Sequence, residues 1–192
     1  MGRPRKFDEA EVVQRAMVAF WQCGYESTTI RALQTATGVD GKGLANAFGD
    51  KEQLFLQALD AYTDFAAQTL DQVFATPCVE AIGAFLQGLA SEDVPADDPR
   101  HSGCLMVNTV FELGPTSDAV RERVERYRGL FIDHFEAALA GSGIADAKAR
   151  AEFLLAMLWG AVSQVRLTGS TRAAAPVVDQ IRQTLASWTD SV

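Results

Sequence analysis

Residues 28–55 read TTIRALQTATGVDGKGLANAFGDKEQLF, and the fold turns on this stretch. Ile30 and Leu33 share one face of a short helix that Gly38 ends, and Val39 is placed to plug the corner that follows. Leu44 and Phe48, four apart, put a second apolar stripe on the next short helix. Asp50-Lys51-Glu52-Gln53 then reads as an N-cap with its capping-box partner three residues on, ahead of the apolar run of a longer helix. Two crossed short helices with a glycine in the turn form a helix-turn-helix, whose second helix can lie in a DNA major groove.

The stretch resembles the DNA-binding domain of the tetracycline-repressor (TetR) family. Phe20, Gly24, Tyr25, Thr28, Thr29, Ile30, Leu33, Gly38, Val39, Leu44, Phe48, Lys51 and Leu54 carry the resemblance. It covers about residues 7–60; beyond them only the all-helical layout and Gly103-Cys104-Leu105 are similar to part of the family. It implies an all-α fold of about nine helices. Residues 1–50 would be a helix-turn-helix DNA-binding domain with a basic arm, and residues 51–192 an effector-binding and dimerisation domain. The implied function is a ligand-responsive transcriptional regulator, a repressor released from a palindromic double-stranded DNA operator by a small-molecule effector. It would work in the cytoplasm as a homodimer joined through its last two helices.

Here the chain departs from the family. Relatives carry a small hydroxyl residue near the start of the recognition helix and an aromatic, usually tyrosine, just after the residue that is Leu44 here. This chain has Asp40, Gly43 and Ala45 at the corresponding positions. Asp40 still caps the helix, whereas Gly41 and Gly43 weaken it by roughly 1 kcal/mol each relative to alanine. The expectation is a recognition helix that orders on DNA, with Arg31, Lys42, Asn46 and Lys51 as the remaining donors and Thr28 beside them. The alternative is a helical small-molecule-binding protein whose head no longer reads DNA.

Composition bounds the other classes. The chain has 192 residues, 48% of them hydrophobic, with no apolar run long enough to span a bilayer and no signal-peptide core after Met1. Cys23, Cys78 and Cys104 are odd in number and form no CxxC pair, so neither a disulfide framework nor structural zinc is expected. With only His101 and His134 besides, no metal and no cofactor is implied. G-x-S-x-G, Walker and dinucleotide-binding motifs are absent, which points away from an enzyme. The net charge is −8, but residues 1–51 carry +1 and residues 52–192 carry −9, so the acidity lies outside the DNA-reading part.

Residues 2–6, Gly-Arg-Pro-Arg-Lys, make a basic arm in which Arg3, Arg5 and Lys6 can reach a minor groove, or simply a solvated terminus. Val13, Ala16, Met17 and Phe20 mark a first, scaffolding helix that Gly24 ends. From Asp50 a long helix keeps an apolar face from Leu54 to Val73, a lever between head and body, until Pro77. The acidic, proline-bearing residues 91–102 read as a solvated loop. Residues 103–113 are nearly all apolar, yet Cys104, Asn108 and Glu112 recur every four residues. Such a stripe on a buried helix is either an internally satisfied network or the polar anchors of an effector pocket. Cys104 is an inert buried thiol or a redox sensor. The effector set on the pocket reading is Phe65, Cys104, Asn108, Phe111, Glu112, His134 and Trp159. Pro115 and Thr116 open a further helix with Val120, Val124, Tyr127, Phe131 and Phe135 inward and a mixed charge run outward. Phe153–Val162 lack charge altogether, and Val177, Val178, Ile181, Leu185 and Trp188 stripe the last helix; these two elements are the expected dimer surface.

Overall fold

Helix starts are set by side-chain caps. Asp8, Thr29, Asp40 and Asp50 each accept a hydrogen bond from a backbone amide two or three residues on, satisfying one of the free donors of a first turn. The computed structural model describes residues 7–91, 93–114 and 117–190. Among them run nine α-helices: α1 (Glu9–Cys23), α2 (Ile30–Thr37), α3 (Gly41–Phe48), α4 (Lys51–Val73), α5 (Val79–Leu89), α6 (Leu105–Leu113), α7 (Asp118–Gly141), α8 (Ala147–Thr168) and α9 (Ala175–Thr189). Short 3-10 turns at Pro99–Ser102 and Thr171–Ala174 precede α6 and α9. The all-α expectation holds, and no helix of the described residues is long and apolar enough to cross a membrane.

The head is α1 to α3 closed by the first turns of α4. Phe20 meets Phe55 edge-on at 4.9 Å between ring centroids, and Tyr25 lies 4.7 Å from Phe55. Leu33, Val39, Leu44 and Phe48 are buried between the two short helices and this core. Further along α4, Tyr62 packs on Trp21 of α1 and on Tyr127 of α7, at 4.9 and 5.7 Å. Tyr127, Phe131 and Phe135 then continue an aromatic row down α7. One helix, α4, therefore shares side-chain packing with both head and body. Arg123 and Arg126 of α7 both grip Asp60 of α4, which ties the lever to the body.

Several local expectations need correction. Val12, not Val13, turns fully inward on α1, and Val13 is half-buried. Ile30 does not share the buried face of Leu33: at the first position of α2 it is 45% exposed. The lever ends at Val73 with Phe74 as its cap, before Pro77 is reached. Pro115 and Thr116, expected to open α7, lie outside the described residues; Ser117 caps that helix, its Oγ accepting from the Val120 amide. On α9, Val178, Ile181 and Leu185 are buried within the protomer, packed with α8 and α5. On α8, Phe153, Ala156, Gly160 and Leu167 remain exposed along one face, Leu167 by 79%.

Gly41 and Gly43 sit in a continuous α3, and what they do is set by packing. A Cβ at Gly43 would lie 2.8 Å from Val39 Cγ1 and 3.3 Å from Asp40 Oδ1. Val39 is the stiff corner residue of the turn, so it cannot yield without moving the turn. A Cβ at Gly41 would lie 2.6 Å from Nε2 at the far end of Gln34, which can swing away, and in ordinary contact with Ile30 Cγ2 at 3.5 Å. Helix propensity alone would favour alanine equally at both sites by about 1 kcal/mol. The expected outcome instead is that Gly41→Ala stabilises or is neutral while Gly43→Ala destabilises, read as opposite shifts of the urea midpoint.

Candidate nucleic-acid interface and effector cavity

α3 turns Leu44 and Phe48 inward, so Lys42, Ala45 and Asn46 form its exposed outer face. Arg31 of α2 is exposed as well. These three polar side chains and the apolar Ala45 make up the surface on which a groove would be read. Thr28 does not belong to it. It is 1% exposed, and its hydroxyl donates to the Gly24 carbonyl at 2.5 Å, so its role is to close the turn after α1. Lys51 is half-buried with Nζ 4.3 Å from the centre of the Tyr25 ring, a cation–π contact that fixes its position at the start of α4. Arg3, Arg5 and Lys6 lie outside the described residues.

A cavity of about 310 Å³ opens between α4, α5, α7 and α8, with Gly103 and Cys104 ahead of α6 forming part of its wall. Phe65, Leu70, Phe85, Phe131 and Leu158 supply apolar wall, and Trp21 reaches in from the head. Cys104 lies at the centre of its polar part. Tyr62 Oη donates to Cys104 Sγ at 3.4 Å, and Tyr127 Oη is also 3.4 Å from the sulfur. Burial first, and then the neighbouring Cys104, raises both phenols well above the ordinary tyrosine value. Both therefore remain neutral hydrogen-bonding groups across the physiological range.

Of the expected effector set, Phe65, Cys104 and Trp159 line this cavity. Asn108, Phe111, Glu112 and His134 do not. Asn108 Nδ2 donates to the Ser102 carbonyl at 2.8 Å and secures the 3-10 turn before α6. Phe111 faces away from the cavity and is 76% exposed. His134 bridges α7 to α4, with Nδ1 2.8 Å from the Leu130 carbonyl and Nε2 3.2 Å from Asp71. Glu112 reaches the head: its carboxylate accepts from the Tyr25 amide at 2.9 Å and the Glu26 amide at 2.6 Å. The three-residue stripe thus serves three places because α6 is short and its ends lie against different neighbours. Trp21, Tyr62, Tyr127 and Arg100 are cavity residues the sequence reading missed. For the tyrosines a signal existed, since a phenol on a buried stripe needs a partner.

Around Glu112 the end of α1 is fastened to the body at several points. Trp21 Nε1 donates to the Gly103 carbonyl at 2.9 Å, and Arg166 of α8 donates to the Gln22 carbonyl at 3.0 Å. Gly24 permits the Glu112 contact. Its φ of 84° turns the following amides towards the carboxylate, and a Cβ there would fall 2.9 Å from Glu112 Oε2. α6 therefore runs from the cavity at Cys104 to the head at Glu112.

Comparison with known proteins agrees with this architecture. Residues 12–58 match the model for bacterial regulatory proteins of the tetR family, and residues 79–181 match the tetracyclin repressor-like C-terminal domain. The chain is also similar over its length to a solved structure of the TetR family transcriptional regulator CifR. That structure is of a cysteine mutant complexed with 26-base-pair double-strand operator DNA. The likeness has a TM-score of 0.78 at 30% identity, covering 97% of this chain and 100% of that one. The chain belongs to the TetR family. This TetR-family chain is 37% identical over 123 residues to the HTH-type transcriptional repressor ComR of Escherichia coli (strain K12). That match covers 60% of this chain and 56% of ComR. A TetR-family regulator from Agrobacterium tumefaciens, at 18% identity, shares the fold with a TM-score of 0.79. By its membership of the family the chain is a DNA-binding transcriptional regulator, and the match to residues 12–58 covers both short helices of the head.

The paired tyrosines of this TetR-family cavity make a stability prediction. Their folded pKa values are raised, so the stability they contribute is complete below the unfolded tyrosine value of 10.0 and is lost as pH rises above it. The unfolding midpoint of the natural chain is expected to fall above pH 10. A Tyr62→Phe/Tyr127→Phe double variant is expected to show a shallower fall over the same range in urea titrations.

Proposed function

We propose that this chain is a ligand-responsive repressor that binds a palindromic double-stranded DNA operator as a homodimer and releases it when a small molecule fills the cavity. The observation that carries the reading is the course of α6, from Cys104 in the cavity wall to Glu112 on the amides of Tyr25 and Glu26. A ligand that is bound better in one arrangement of α6 than in another shifts the head by that difference in affinity. CifR, seen on operator DNA, and the repressor ComR support the same direction.

Residues 1–50 form the DNA-reading unit in this proposal and residues 51–192 the regulatory one, with α4 passing between them. Arg31, Lys42 and Asn46 contact the operator, joined by Lys51 from the start of α4 and by the arm residues Arg3, Arg5 and Lys6. The dimer forms on the exposed face of α8, Phe153, Ala156, Gly160 and Leu167, flanked by Trp188 of α9, which packs 6.1 Å from Phe153. Two copies of α8 and α9 then give a four-helix interface with two-fold symmetry, which sets the recognition helices one DNA turn apart. The protein works in the cytoplasm, and it binds its ligand without transforming it.

Fluorescence anisotropy with labelled DNA from upstream of its own gene, against unrelated DNA, tests the reading. Specific binding that weakens with salt is expected, and Lys42→Ala should reduce the slope of log affinity against log salt by about 1. Equal binding to both DNAs would sink it. Glu112→Gln replaces one accepting oxygen with an amide donor, so that one of the two backbone N–H groups loses its acceptor. Faster hydrogen exchange at Tyr25 and Glu26, and a stability loss of about 1–3 kcal/mol, are expected. Unchanged exchange at both amides would show that the carboxylate does not hold the head.

A further inference from the structure

The cavity has a chemical character that narrows its occupant. Trp159 lines it, and its Nε1–H is buried with no hydrogen-bond partner among the described residues. An indole N–H is a donor only, so what it lacks is an acceptor. The other neutral donors on the wall are engaged. Trp21 donates to Gly103, Thr69 to the Phe65 carbonyl and Thr171 to the Ser91 carbonyl, while Tyr62 and Tyr127 share Cys104.

Charge narrows it further. Arg100 is the one charged side chain among the lining residues. Its Nε and Nη2 both rest on Asp98, at 3.0 and 2.9 Å, and this pairing lowers the pKa of the Asp98 carboxyl. The Nε/Nη2 edge of the guanidinium is thereby occupied and its charge is balanced by Asp98, while no carboxylate lines the wall to receive a cation. The remaining wall is aromatic and aliphatic, and about 310 Å³ is at the small end of ligand pockets.

We propose that the cavity selects an uncharged, one- or two-ring apolar molecule bearing a single hydrogen-bond acceptor, which takes the Trp159 Nε1–H. This rests on the reading of the cavity as the effector site and adds the chemical class of the effector. Discrimination comes from the buried indole, which an analogue without the acceptor leaves unpaired. The ligand then bears on α8, the helix whose opposite face is exposed.

Isothermal titration of the full-length protein with four matched probes tests this: acetophenone, ethylbenzene, benzoate and phenyltrimethylammonium. Acetophenone is expected to bind at least about tenfold more tightly than ethylbenzene, which has the same size without the acceptor. Trp159→Phe should erase that difference between the two probes. In the natural protein, labelled with nitrogen-15, the Trp159 indole N–H resonance should shift with acetophenone and not with ethylbenzene, a readout that needs no variant. Equal binding of acetophenone and ethylbenzene would overturn the acceptor and leave the cavity as a binding site. Tightest binding of benzoate or of phenyltrimethylammonium would overturn the uncharged class. Failure of all four probes to bind would overturn the inference together with the effector reading, whereas operator binding measured without ligand tests the head alone.

Discussion

Glu112 lays a carboxylate on two successive backbone amides, those of Tyr25 and Glu26, just after the end of α1. Much of how the head is set against α6 depends on that contact. A charged acceptor on backbone N–H groups is among the stronger polar interactions a protein makes. It is also directional, so it sets the head against α6 in a defined orientation rather than merely close to it. Gly24 is the condition for it, because a side chain there would collide with the carboxylate. Trp21 and Arg166 reinforce the same place, binding the end of α1 to the segment before α6 and to α8. The head is thus held at one edge by polar contacts, while its other connection is the apolar packing along α4.

That division matters because the two kinds of contact respond differently to displacement. Apolar packing along Phe20, Phe55, Tyr62 and Tyr127 tolerates small displacements with little directional penalty. Hydrogen bonds to fixed amides do not. In the proposed regulation, a molecule that displaces α6 acts first on Glu112, and through it on the start of the helix-turn-helix. The cavity is built on the same economy of polar groups, with the Arg100–Asp98 pair self-contained and the phenols gathered on one sulfur.

The all-α fold was legible in the chain because helical spacing and capping residues are local. Asp8, Thr29, Asp40 and Asp50 announce helix starts within three residues of the amides they hold. The head was legible almost residue by residue, since Leu33, Val39, Leu44 and Phe48 must face inward if the helices cross at all. Lys42 and Asn46 follow as its outer face. The cavity was only partly legible. Phe65, Cys104 and Trp159 were found, but Trp21, Tyr62, Tyr127 and Arg100 arrive from segments far apart in the chain. Thr28 was misplaced because a threonine ahead of a helix looks alike whether its hydroxyl faces solvent or, as here, its own turn.

By itself, then, the amino-acid sequence determined the helices, their inward faces and the helix-turn-helix, because each rests on residues within a few positions of one another. Only the tertiary structure decided that Cys104, Asn108 and Glu112, evenly spaced along one short helix and its cap, serve a cavity, a turn and the head. It also decided that Gly43 is a packing requirement rather than a weakness, through Val39 across the corner. The physical reason is the same in each case. Periodicity states which side of a helix a residue occupies, and what stands against that side is set by distant parts of the chain.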